Sequence, residues 1–382
     1  MTRAYLDHAS TTPARPEALA ALTRWVALPA ADPGRLHEEG RTVRDALEEA
    51  RQQVAALFGT TPRQVVFTSG GTEAINAAVW GATRRAPGAP VLYADVEHSA
   101  VREASARLAP TEIIPVDAAA RIVSGALATR LRSTALARPA LVHCQWANHE
   151  VGTLQPVHDV VALCRAADVP VHVDAAAACG HVPMDLDELG ADLVSLTAHK
   201  MGGLPGAGAL VLRRGSRFES LLVGGEQERG RRAGLEALPN LLAFGAAAAA
   251  LAADGERTMH DEATRARAHI ATLSDLATSV GDVDIVGPAS EGERLPHLVC
   301  LGVRGVEAEP VLIGLDRAGV AVHSGSACSS ESIEPSPVLE AMGVDANHSL
   351  RVSVGWSTTD ADIAAFGSAF GEVVGALRAL RG

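Results

Sequence analysis

Between about residue 40 and residue 215, short apolar runs alternate with stretches whose apolar positions recur at helical spacing. That alternation predicts a largely parallel sheet covered on both faces, since parallel strands are joined by helical crossovers and buried on both sides. The runs place strands at 65–68, 91–94, 113–116, 140–145, 169–173, 193–196 and 209–212. After Asn240 an Ala-rich helical stretch runs to a break near Asp254 and Gly255, and a second helical pattern covers about 259–276. Shorter strands follow at 283–286, 298–303, 320–323 and 350–354, with a closing helix over about 361–380. The pattern predicts an α/β unit followed by a second, smaller α+β unit. No repeat or Pro-rich linker interrupts it, so the two are expected to be joined by helix rather than by a flexible tether.

Composition narrows the classes. Apolar residues make up 47%, charged residues 20% and aromatics 3%, so the core is built mainly from Ala, Val and Leu. Lys and Arg number 33 against 45 Asp and Glu, a net charge of −12, which gives no electrostatic footprint for nucleic acid or anionic lipid. No direct nucleic-acid binding and no membrane association are expected. The longest apolar run, 241–253, is shorter than the roughly 20 residues that cross a bilayer and reads as a buried helix. The N-terminus, MTRAYLDHASTTP, carries Asp7 and no apolar stretch of the secretory kind, which predicts a cytoplasmic protein. Cys144, Cys164, Cys179, Cys300 and Cys328 are odd in number and lack C-x-x-C spacing, which argues against a disulfide framework and a zinc cage, so no metal is expected.

Lys200 is the only lysine in the chain. A GC-rich genome writing Arg for Lys explains the missing lysines but not the one retained. Arg stays protonated and forms no imine, whereas a desolvated Lys amine loses its proton readily, so Lys200 is a Schiff-base candidate before any motif is consulted.

Four further segments carry polar residues where predicted strands end. In FTSGGTEAIN, Gly70 and Gly71 allow close backbone approach, and free N–H groups with the Thr72 hydroxyl suit a phosphate; the same residues also make a good turn and cap. In VHVDAAAACG, Asp174 stands at a strand's C-terminal end, where it would pair with a cation such as a protonated pyridine nitrogen, or simply cap the next helix. In SLTAHKMGG, Thr197 and His199 flank Lys200 and could donate to the same phosphate. His98 follows the strand at 91–94, where its flat ring could stack on an aromatic cofactor or serve a structural role. An imine partner, a pyridinium partner and an anion site are together what pyridoxal 5'-phosphate demands. Cys328 lies in a Gly- and Ser-rich stretch with few apolar neighbours, which reads as exposed and mobile. Arg351, in SLRVSVGW, is shaped to clamp a carboxylate, or else sits at a surface edge.

These motifs resemble those of the cysteine desulfurases, NifS/IscS-like members of the class V aminotransferase group. The resemblance runs through YLDHASTTP, LHEEGR, FTSGGTEAIN, VEHSAV, WANHEVGTLQP, HVDAAAACG, TAHKMGGLPGAGAL, GGEQERGRRAG and SGSACSS, the last in the form of the long-loop group. It implies the pyridoxal-phosphate fold type I: a large domain, 16–253, with a mostly parallel seven-stranded sheet, plus a smaller α+β domain formed by 1–15 with 254–382 that carries the catalytic cysteine loop. It also implies a homodimer. By matching position, Lys200 would hold the cofactor and move protons at the substrate α-carbon, Asp174 would pair with the ring nitrogen and His98 would stack on the ring. Gly71, Thr72, Thr197 and His199 would bind the phosphate, and Arg351 the substrate carboxylate. Cys328 would take sulfur from L-cysteine as a persulfide, release L-alanine and pass the sulfur to an acceptor or scaffold protein. Iron–sulfur cluster assembly, tRNA thiolation and DNA phosphorothioation are alike open as destinations.

Three positions depart from the pattern: Ala177 where a Gln contacts the cofactor's phenolic oxygen, His149 where an Asn follows the WAN position, and Leu235 where a Thr reaches a neighbouring subunit's phosphate. Each changes a polar contact near the cofactor and bears on efficiency more than on reaction type. The rival readings are a selenocysteine lyase or another class V enzyme, and a non-catalytic scaffold for sulfur trafficking. Cys328 speaks against a plain aminotransferase and Lys200 against the scaffold.

Overall fold

A computed structural model describes residues 3–27, 30–324 and 336–380. The N-terminal β1 (Ala4–Tyr5) lies outside the main sheet. That sheet has seven strands: β2 (Val65–Thr68), β3 (Val91–Ala94), β4 (Thr111–Ile114), β5 (Leu141–Gln145), β6 (Val171–Asp174), β7 (Leu193–Thr197) and β8 (Gly208–Leu212). Their order is β2-β8-β7-β6-β5-β3-β4. Only β8 runs antiparallel to its neighbours, because it follows β7 through a turn with no crossover helix to bring the chain back to the same end. Two strands sit later or earlier than the apolar runs suggest, and a proline decides each. Pro115 has no N–H to extend β4 beyond Ile114, and Pro170 bars an earlier start to β6.

The second sheet, of four strands, contains β9 (Val283–Val286), β10 (Leu298–Val303), β12 (His323–Ser324) and β13 (Ser349–Ser353), in the order β12-β13-β10-β9. The single strand expected at 320–323 is divided: β11 (Val320–Ala321) pairs with β1, and β12 with β13. Each sheet has its own apolar cluster, one around Val142, Val173 and Leu196, the other around Leu301, Val352 and Phe366. The helix Leu238–Thr278 runs from one cluster to the other and leaves helical geometry at Ala253–Glu256, where Asp254, Gly255 and Glu256 all have positive φ. It has the length and apolarity of a membrane span, yet Leu241, Phe244, Ala248 and Leu251 are buried in the main core.

Candidate active site

The parallel strands all end at one edge of the main sheet, and the polar residues that follow them face a common space. Asp174 closes β6 and Thr197 closes β7. Lys200 follows in a turn closed by Met201 N–H and Gly203 N–H donating to the Ala198 carbonyl at 3.1 and 3.0 Å. Gly202 has φ +92°, and a Cβ there would collide with Arg15 Cγ, so glycine lets Arg15 reach in and donate to the Met201 carbonyl at 2.8 Å. His98 is the N-cap of the helix Ser99–Leu108: its Nδ1 accepts from Ala100 N–H at 3.1 Å, which leaves the neutral ring's proton on Nε2.

These residues line a cavity of about 270 Å³. Gly71 and Thr72, which open the helix Gly71–Arg85, line it together with Thr197 and His199, and a Cβ on Gly71 would lie 3.8 Å from Thr197 Cβ. No side chain caps that helix, so its first N–H groups remain for an anion. Thr197 Oγ1 and His199 Nδ1 are 2.9 Å apart. Burial, helped by the Lys200 charge, lowers the His199 pKa to about 4, which keeps the ring neutral at pH 7. Farther in, Asp174 Oδ1 accepts from Ala176 N–H at 3.0 Å and from the Ser195 hydroxyl at 3.2 Å, so it does cap the following turn while its carboxylate lines the cavity.

The smaller sheet contributes Arg351, from β13. It is 2% exposed, which rules out a surface-edge role. Its Nη1 donates to the His149 carbonyl at 2.9 Å, and its Nη2 donates to Asp7 at 3.0 Å and Ser10 at 2.6 Å. Its Nε is buried without a partner among the described residues, a donor left over for a ligand. His149 and Ala177 line the cavity, and the His149 ring meets the His98 ring edge-on, centroids 5.2 Å apart. Leu235 lies outside the cavity and is 61% exposed. Cys328 falls outside the described residues.

Several residues the sequence did not single out complete the site. Asn148 Oδ1 accepts from both Glu150 N–H and Val151 N–H at 2.9 Å and so fixes the loop bearing His149. Glu97, beside His98, is fully buried; Oε1 accepts from Gln145 N–H at 2.7 Å, and Oε2 has no partner among the described residues. Burial, reinforced by Asp174, pushes its pKa up to about 8. The only signal for it was a charged residue wedged between Val96 and His98. A larger cleft, about 620 Å³, opens near the opposite edge of the sheet among Arg85, Arg138, Arg165, Arg213 and Arg217, but it holds none of the strand-end residues above.

The chain matches the family described as Aminotransferase class-V over residues 4–366. The chain belongs to the class V aminotransferase family. Among relatives of this class V chain, the cysteine desulfurase IscS of Dictyoglomus turgidum is 35% identical over 368 residues, covering 94% of this chain and 91% of that protein. An IscS-like cysteine desulfurase of Mycobacterium tuberculosis is 37% identical over 375 residues, covering 94% and 93%. Among solved structures, a NifS-like protein superposes with a TM-score of 0.88 at 26% identity, over 98% of this chain and all of that one. The cofactor of this class V family is pyridoxal 5'-phosphate, and the cavity fits it: an uncapped helix start for the phosphate, a lysine, and a strand-end carboxylate for the ring nitrogen.

Proposed function

We propose that this protein is a cysteine desulfurase that converts L-cysteine to L-alanine and carries the sulfur as a persulfide on Cys328. The observation that carries the reading is the convergence of Lys200, Asp174, His98, Thr197 and Arg351, from distant parts of the chain, on one cavity. When bound, pyridoxal phosphate draws electrons from the substrate's α-carbon and makes the adjoining carbon–sulfur bond cleavable. Gly71, Thr72, Thr197 and His199 would hold the phosphate, Asp174 would keep the ring nitrogen protonated and His98 would stack on the ring. Lys200 holds the cofactor and moves the proton at the α-carbon. Arg351 orients the substrate carboxylate, with Asp7 and Ser10 fixing its guanidinium. The Cys328 thiolate attacks the substrate sulfur: a sulfur–sulfur bond forms as the carbon–sulfur bond breaks, and the carbon keeps the electron pair and takes a proton to become alanine.

The same reading includes a homodimer, a sulfur-accepting protein partner and a cytoplasmic setting. Leu222, Val223 and Leu235, all exposed, support a second subunit over that face. Cys144, Cys164, Cys179 and Cys300, buried and free of disulfides, fit a reducing compartment. It also includes the division into 16–253 and 1–15 with 254–382, supported by the two apolar clusters and the helix break at Ala253–Glu256. The experiment is to incubate the purified protein with L-cysteine and assay alanine and protein persulfide. Wild type should yield both, and Cys328→Ser should bind the cofactor and L-cysteine but yield neither. Turnover by Cys328→Ser at the wild-type rate would sink the assignment.

A further inference from the structure

Behind Asp174 a line of buried polar side chains runs away from the cavity across three strands. Ser195 stands opposite Asp174 in the β6–β7 register, and His143 opposite His172 in the β5–β6 register. His172 and Asp174 are two positions apart on β6, so all four side chains share one face of the sheet. The Ser195 hydroxyl lies 3.2 Å from Asp174 Oδ1, His172 Nε2 lies 3.1 Å from Ser195 Oγ, and the Nδ1 atoms of His143 and His172 are 2.9 Å apart. Ser105 Oγ, on the helix Ser99–Leu108, lies 3.5 Å from His143 Nε2. Both histidines and both serines are fully buried.

The chemistry of the donors fixes every proton in this line. An Asp174 carboxylate offers only acceptors, so the Ser195 hydroxyl donates to it. Ser195 Oγ must then accept, which puts a proton on His172 Nε2 and leaves His172 Nδ1 as an acceptor. His143 Nδ1 therefore carries the proton between the two rings, and His143 Nε2 accepts from Ser105. Each donation points toward Asp174. Burial lowers the pKa of both rings, that of His172 to about 4, which agrees with the neutral rings this order requires.

We infer that Ser195, His172 and His143 form a one-way hydrogen-bond relay that acts as a set of positioning residues, holding the Asp174 carboxylate aimed at the cofactor's ring nitrogen. Hydrogen bonds in series polarise one another, and in a dry interior their summed dipole bears on the terminal charge. The other charged or titratable groups near Asp174 are Glu97, Cys179, His98, His149, Lys200 and Arg351. The inference rests on the cofactor reading for its consequence, though not for the order of the protons.

The test uses the pyridoxal-phosphate-loaded enzyme labelled with ¹⁵N-histidine. Coupling between nitrogens across the Nδ1–H···Nδ1 bond identifies the pair without any variant, and long-range ¹H–¹⁵N correlations read the tautomers. The expected result is His143 protonated on Nδ1 and His172 on Nε2; the reverse order overturns the relay. Ser195→Ala should speed cofactor release and lower kcat by about tenfold, as loss of a hydrogen bond to a charged group does, with KM for L-cysteine nearly unchanged. Ser195→Thr, which keeps the hydroxyl, should restore both. Unchanged release and kcat in Ser195→Ala, or no rescue by Thr, would also overturn it. A protein that binds no pyridoxal phosphate defeats the functional reading instead, while the tautomers still decide the relay.

Discussion

Arg51 and Glu228, 177 positions apart, form a bidentate ion pair at 2.6 and 2.8 Å in which both side chains are almost wholly buried. The pair ties the helix Glu38–Leu57 to the GGEQERG segment. Glu228 also accepts from Phe67 N–H at 2.8 Å, and Arg51 donates to the Val65 carbonyl at 3.1 Å, so the pair braces β2, the strand that leads to Gly71 and Thr72 at the cavity. Arg51→Ala leaves a buried carboxylate with no counter-charge and should cost about 3–5 kcal/mol of stability. Combining Arg51→Met with Glu228→Gln, which keeps an acceptor for Phe67, should cost clearly less. Urea unfolding measures both. A loss below about 1 kcal/mol for Arg51→Ala, the level of an exposed pair, would mean that the brace is dispensable.

Because Lys200 is the chain's single lysine, the covalent link to the cofactor has one side chain to use. Borohydride reduction followed by peptide mapping should find pyridoxyl label on Lys200 alone. Lys200→Arg should lose both the label and turnover, since a guanidinium keeps its proton and forms no such link. Label on any other side chain would remove the central role given to Lys200.

Much of the site is legible in the sequence because it is written locally. Asp174, Thr197, Lys200 and His98 each follow an apolar run, and in a parallel sheet the ends of such runs meet at one edge. What joins the site to the second sheet is not local. Arg351 and Asp7 are 344 positions apart, and neither residue's neighbours reveal that they pair. The relay behind Asp174 lies between. Polar residues interrupt the apolar runs LVHCQ, VHVD and LVSLT in plain view, but only strand order and register bring His143, His172 and Ser195 into line.

The pH dependence of stability should have two separable causes. Glu97 titrates near 4.5 when unfolded and at about 8 when folded. The folded state thus holds the extra proton, and stability falls as pH rises through that interval and levels off above it. Burial depresses His8 and His172 to about 4 and His181 to about 3, from 6.5. There the unfolded chain binds protons first, so stability falls as pH drops below 6.5. Between 6.5 and 8, Glu97 acts with little contribution from these histidines. Glu97→Gln should therefore flatten the fall in Tm from about pH 6.5 to 8 and leave the acid-side loss in place. An unchanged slope in Glu97→Gln would show that Glu97 is ionised in the folded protein.

His149 and Ala177 line the same cavity, and each stands where the desulfurase pattern has a different polar residue. With Ala177 where the resemblance implies a Gln, the cofactor's phenolic oxygen would lack a donor there, and an anion in a partly dry site needs one. The imidazole of His149 is longer than the amide it replaces, and the loop behind it is fixed by the paired bonds to Asn148 Oδ1. His149→Ala should weaken pyridoxal-phosphate binding or turnover by about 1.5–3 kcal/mol, the worth of a hydrogen bond to a charged group. Adding Ala177→Gln to that variant should recover part of the loss, while Ala177→Gln alone should gain little because the position is already served. Independent sites add to within about 0.3–0.5 kcal/mol, so a double-mutant cycle read from cofactor affinity separates the cases. Coupling beyond that margin means that the histidine does the work of the missing glutamine. Strict additivity means that His149 serves another part of the site, with the substrate carboxylate as the alternative, because Arg351 Nη1 is already bonded to the His149 carbonyl.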